Sequence, residues 1–269
     1  MDNYSQSQLF KPVRTIALWT MTLLGLSLIL DIVNISINLT ELVLASKYPE
    51  TVAAALSEEG DSFTDMPGGV LQATVAFLEL GMGVFFVLVS IGTIVVFLIW
   101  MHRSYKNLKP LGSRRMEYSP AWAVGCWFVP FVNLVRPYGM IKEIWFKSDP
   151  DTVELEDSPL SYTLEIAQIA APMFGLWWAF WIISNVFTNI STRLTFGADT
   201  LDQHVTSFWL SIIASALSIV AAALAISVVR AITARQEARY KRIVDLTRNL
   251  NDESGMPPMP PTYAPPSFS

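Results

Sequence analysis

Ser27, Asp31, Asn34, Asn38 and Glu41 follow one another at steps of four, three, four and three residues. On a helix this spacing places them along one face. The preceding stretch from Ile16 to Leu30 is apolar. A carboxylate at membrane depth costs about 2.5–3.5 kcal/mol on insertion scales and is tolerated where it faces a partner helix or a wet cavity. Glu79 stands at the outer start of a second apolar run. Ser184, Asn185, Thr188, Asn189 and Thr192 lie in the outer half of a third. Asp31, Asn34, Asn38, Glu79 and Asn185 would together line an outward-facing polar pocket for a solute. The plainer reading makes the same groups interhelical glue, about 0.6 kcal/mol per hydrogen bond in measured cases. A further plain reading is that the helix has left the membrane by Asn38.

A fourth apolar run carries a stripe of small residues: Ser211, Ser215, Ser218, Ala222 and Ala225. Small side chains let helix backbones approach closely, so the stripe reads as a packing seam within the chain or with a partner.

The stretch from Trp100 to Trp145 is the most distinctive. Trp100, Arg103 and Asn107 share one helix face where the second apolar run turns basic. Tyr118, Pro120, Trp122, Trp127, Pro130, Asn133, Arg136, Pro137 and Tyr138 then follow in a short apolar segment broken by prolines. Proline removes a backbone donor and interrupts a helix. The carbonyls so freed could be satisfied by Asn133 and Arg136, or those two could bind an anion such as a lipid phosphate. The alternative is an amphipathic platform anchored by tryptophans at the membrane interface.

The string YSPAWAVGCWFVPFVNLVRPY, preceded by WMHRSYKNL and followed by KEIW, resembles the bacterial membrane family of unknown function DUF4328. GLWWAFWIISN, from Gly175 to Asn185, also resembles that family's tryptophan-rich span. The resemblance covers residues from about Leu71 to Arg230. It departs at Cys126, where a bulky residue is expected. It implies a bacterial membrane protein and singles out the proline-aromatic motif, and it brings no activity with it.

The elements that must position these groups follow from the apolar runs. About 18 or more apolar residues are needed to cross about 30 Å of hydrocarbon. Spans are expected at about 13–43, 70–101, 166–192 and 205–229. The interfacial motif, 118–147, is too short and too broken for a fifth span and reads as an interfacial or re-entrant segment. A basic cytoplasmic helix is expected over 230–250 and a disordered proline-rich tail over 251–269, where PPMPPTYAPP cannot build a core. Residues 1–12 form a polar segment. Loops are expected at 46–67, rich in acids, and at 193–204. The membrane domain as a whole covers 13–250.

Lys and Arg collect on the cytoplasmic side. The loop at 46–67 has only Lys47 and that at 193–204 only Arg193, whereas the stretch between the second and third spans has eight and the segment from Arg230 six. Both termini and the middle loop are therefore expected inside.

Of the 269 residues, 52% are hydrophobic and 15% charged, a balance that soluble chains rarely show. The lone Cys126 and the two separated histidines exclude a disulfide framework and a zinc motif. No nucleophile elbow, zinc-protease, P-loop or dinucleotide motif is present. The basic residues flank spans, which speaks for anionic lipid and against nucleic acid. The expected fold is an all-α membrane protein with four transmembrane helices and an inner-face broken helix between the second and third. The first functional reading is a non-enzymatic component of the bacterial plasma membrane, without cofactor or metal, acting through lipids, a membrane-protein partner or a second copy of itself. A small transporter or lipid- or solute-binding protein is the alternative, and a membrane enzyme the third.

Overall fold

The computed structural model describes residues 9–56, 64–113, 116–151 and 172–254. Helices run over α1 (Arg14–Lys47), α2 (Pro49–Leu56), α3 (Gly69–Asn107), α4 (Trp122–Gly125), α5 (Arg136–Lys147), α6 (Pro172–Phe196) and α7 (Leu201–Ser254). A 3-10 turn covers Val132–Leu134. No strand occurs among the described residues. Four of the helices, α1, α3, α6 and α7, are long and apolar enough to cross a membrane.

The surface of α3 makes the membrane argument physical. Phe77 is 77% exposed and Leu80 69%, with Val84, Val87, Leu88 and Ile91 also open. Leaving such side chains in water forgoes about 1.5–3 kcal/mol each, so this face calls for lipid.

The chain divides into two units, residues 1–20, 95–174 and 227–269 in the first and 21–94 and 175–226 in the second. In the first, the core holds Trp100, Met101, Tyr105, Leu108, Ala123, Cys126, Met140, Ile144 and Ile232, all fully buried. The end of α3 is closed by Gly112 at φ +86°. The Ser113 N–H donates to the Leu108 carbonyl and the Gly112 N–H to that of Lys109, both at 3.0 Å. This is the Schellman arrangement, which wants glycine at the left-handed position. Pro137 opens α5, where its missing N–H costs nothing. Lys11 is fastened by its backbone to the Asn107 side chain, at 3.2 and 2.8 Å.

In the second unit, Leu44, Ala45, Val52 and Val75 form a small core ringed by Ile37, Tyr48, Leu201 and Val205. Gly68 at φ +85° lies so near Tyr48 that a Cβ would come within 2.7 Å of the ring.

Several boundaries differ from expectation. The acidic stretch expected as a loop over 46–67 contains α2, because Val52 and Thr51 are buried there and the short apolar run PETVAAAL packs rather than hangs. The loop expected over 193–204 shrinks to residues 197–200. The Gln203 side chain accepts from the Asp199 and Thr200 N–H groups at 2.7 and 3.3 Å, while Thr200 Oγ1 takes the Gln203 N–H at 3.4 Å. This capping box starts α7 early. The fourth span and the basic helix are one element, and it continues to Ser254, into the segment expected as disordered. The start of the third span at 166–171 and the tail beyond Ser254 lie outside the described residues.

Candidate functional site

The second unit holds a cavity of about 300 Å3. Asp31, Asn34 and Ile37 of α1 line it, with Glu79, Met82 and Phe86 of α3. Thr188, Ser191 and Thr192 of α6 and Ser211, Ser215 and Ser218 of α7 complete the polar wall. The helical spacing seen in the sequence brings Asp31 and Asn34 to one side, and the α7 stripe meets them. Ser211 Oγ and Ser215 Oγ both donate to Asn34 Oδ1 at 3.1 Å, and Asn38 Nδ2 donates to the same oxygen at 3.0 Å. Three donors on one atom fix which way the Asn34 amide points.

Asp31 is 4% exposed. Its carboxylate is hydrogen-bonded to Ser218, while Oδ2 is buried without a hydrogen-bond partner among the described residues. Glu79 lines the cavity with much of its side chain exposed.

Two of the residues expected in the pocket are elsewhere. Asn38 is buried but does not line the cavity, because its amide turns back on Asn34. Asn185 is exposed and bonds the Trp181 carbonyl of its own helix at 2.7 Å. Glu41 is also tied up, accepting from Gln72 Nε2 at 3.0 Å. Ser191 and Ser218 were legible only as polar residues on apolar helices, without a signal that they share a cavity.

The proline-aromatic motif lies in the first unit, and most of its polar groups are spent on scaffolding. Tyr105 accepts the Tyr118 N–H at 2.9 Å, and its proton lies between Glu143 Oε2 at 2.7 Å and the Tyr118 carbonyl at 2.9 Å. The Glu117 N–H reaches Glu143 Oε1 at 2.7 Å. His102 Nδ1 approaches the Pro120 carbonyl at 2.8 Å, and since a carbonyl only accepts, Nδ1 carries the proton. Trp100 donates from Nε1 to Thr233 Oγ1 at 3.2 Å. Trp100 and Asn107 are thus buried anchors of the fold, not groups presented to lipid; Arg103 is half-buried.

Gly139 lets the Tyr118 ring come close, since a Cβ there would meet its hydroxyl at 3.1 Å. Trp127 stands edge-on to Phe97 at 5.8 Å. Asn133 is half-buried in the 3-10 turn and Tyr138 half-buried beneath the Lys142 ammonium at 5.6 Å. Arg136 is exposed, 3.7 Å from Glu117 and 5.1 Å above the Tyr118 ring. An exposed pair of this kind contributes about 0–1 kcal/mol and leaves the guanidinium open to a further anion. Cys126 is fully buried with Sγ 3.9 Å from Met140 Sδ, and burial pushes its thiol up to about 11.

Sequence reasoning passed over Glu143, which is 6% exposed. Burial holds its carboxyl above the ordinary 4.5, against the opposing hydrogen bonds from Glu117 and Tyr105. The folded chain therefore holds this proton more tightly than the unfolded chain. The resulting stability is fully present below pH about 4.5 and is lost as pH rises through the raised folded value. Glu143→Gln is expected to remove that fall. Unfolding midpoints of both proteins between pH 4.5 and 7 measure it, and parallel curves would show that Glu143 does not titrate there.

The match to known sequences falls on this same framework. A family model described as a domain of unknown function, DUF4328, matches residues 67–234, more than half of the chain. The chain belongs to the DUF4328 family. The DUF4328 match takes in the motif of the first unit together with Glu79, Ser191, Ser211, Ser215 and Ser218 of the cavity. Helix α1, with Asp31 and Asn34, lies before it. No curated protein and no solved structure matches this DUF4328 chain.

Proposed function

We propose that this protein is a multi-pass membrane protein that binds a small polar solute in the cavity of its second unit, as a transporter or a solute receptor. The observation that carries this reading is Asp31, a buried carboxylate with one oxygen unpartnered beside a cavity of about 300 Å3. An orphaned buried polar atom costs about 1–3 kcal/mol, a cost that a ligand's donor would relieve. Ligand pockets start at about this volume.

The reading as a partner-driven component loses one support. Ser211 and Ser215 are hydrogen-bonded to Asn34, and Ala222 and Ala225 are buried, so the small-residue stripe serves packing within the chain.

The charge distribution supports an orientation with both termini cytoplasmic. In that orientation the stretch from Trp122 to Val135 rests at the inner interface. Phe128 is 72% exposed and Phe131 83%, with Val135 beside them. Phe131 adopts φ 63°, a left-handed conformation costing about 1–3 kcal/mol. Seating these side chains among acyl chains would offset that cost, and Arg136 and Lys142 suit anionic headgroups.

Cysteine accessibility tests both parts. Thr192→Cys and Ser211→Cys in the cavity are expected to react with a charged, membrane-impermeant maleimide from outside, whereas Ile91→Cys on the apolar surface stays inert. Asp199→Cys is expected to label from outside and Lys109→Cys only after permeabilisation. Buried Cys126 gives little background. Inert cavity positions would end the solute reading, and a reversed loop pattern would end the orientation.

A further inference from the structure

Resting on the cavity reading above, we infer that the solute is a small organic cation, a protonated amine whose N–H groups meet Asp31. The charge of the lining argues for it first. Asp31 and Glu79 are both acidic, and no Lys, Arg or His is among the described lining residues. An anion would meet two carboxylates and no countercharge.

The hydroxyl groups add direction. Ser211 and Ser215 spend their protons on Asn34 Oδ1, and Ser191 spends its own on the Ser207 carbonyl at 3.0 Å. A hydroxyl whose proton is committed still has lone pairs to offer. These serines therefore present acceptors to the cavity. Their complement is a ligand with donors to offer.

The Asp31 carboxylate, which lines the cavity, then selects charge over neutral donors. A buried carboxylate is stabilised more by a cation than by a hydroxyl, because the cation adds a Coulomb attraction that a neutral donor lacks. Its Oδ2 has no hydrogen-bond partner among the described residues.

Volume selects an organic cation over a bare ion. At about 30 Å3 per water in the liquid, about 300 Å3 corresponds to about ten water volumes, which a single metal ion does not fill. Leu30, Met82 and Phe86 supply apolar wall for a short carbon skeleton.

The experiment is isothermal titration of the full chain in lipid nanodiscs with n-butylammonium chloride, n-butanol and sodium butyrate, which share shape and differ in charge. Saturable binding of n-butylammonium alone is expected, weakened at least tenfold in Asp31→Asn and about threefold in Glu79→Gln. Equal binding of n-butanol or butyrate overturns the cation inference while the cavity reading stands. So does n-butylammonium binding that survives Asp31→Asn unchanged in a protein that elutes as the wild type does. If Asp31→Asn does not fold, unchanged affinity in Glu79→Gln overturns it instead. Failure of all three probes to bind overturns both readings.

Discussion

Arg239→Ala is expected to destabilise the fold by about 3–5 kcal/mol, the scale for truncating a large buried side chain that also satisfies buried carbonyls. Arg239 is 1% exposed although it lies on the basic end of α7. Its Nε–H donates to the Leu111 carbonyl at 2.8 Å and its Nη1 to the Asp149 carbonyl. Leu111 closes the turn after α3 and Asp149 follows α5, so one guanidinium holds three segments of the first unit together. Asp149 is also paired with Arg235 at 2.5 Å, and Gln236 Nε2 bonds the Ser104 carbonyl at 2.8 Å one turn away. Alanine would leave two buried carbonyls without donors and a void where the side chain packed. Arg239→Lys is expected to recover only part of the loss, since a single ammonium does not reproduce the guanidinium fork. Chemical unfolding followed by tryptophan fluorescence reads both variants. A loss under about 1 kcal/mol for alanine would show that water or Arg235 takes over the carbonyls.

The second large effect has the opposite sign. Asp31→Leu is expected to raise stability by about 3 kcal/mol, the difference between these residues at a helix centre on insertion scales. It is expected to abolish binding at the same time. The two plausible roles of Asp31 diverge here. If its hydrogen bond to Ser218 is the reason for its presence, leucine costs that bond and destabilises. If the unpartnered Oδ2 is kept for a ligand, leucine removes a buried polar group and stabilises, a trade of stability against function. Thermal unfolding of the two proteins in the same nanodiscs decides between them, and a lower midpoint in the leucine variant would assign Asp31 to packing.

Composition and periodicity determined a good deal of this protein. Long apolar runs located the four long helices, because crossing hydrocarbon demands length and leaves the backbone no alternative to a helix. The three-four spacing put Asp31 and Asn34 on one face for the same reason. The proline-aromatic string also disclosed the family. The ends of elements were less legible. The α7 start depended on a Thr200–Gln203 capping box, and α2 on whether Val52 had a core to enter.

What each polar group does was decided only by the tertiary structure. Asn34 and Asn38 share a face, yet one lines the cavity and the other bonds it from behind. Arg136 and Arg239 are the same residue type, yet one is at the surface and the other is a buried tie. Glu143, to which the sequence assigned no role, is a buried acceptor for Tyr105. Helical period fixes direction around one axis, whereas burial and hydrogen-bond partners depend on which other helix arrives there. That second quantity comes from packing between segments distant along the chain, such as Asn34 with Ser215 or Leu111 with Arg239.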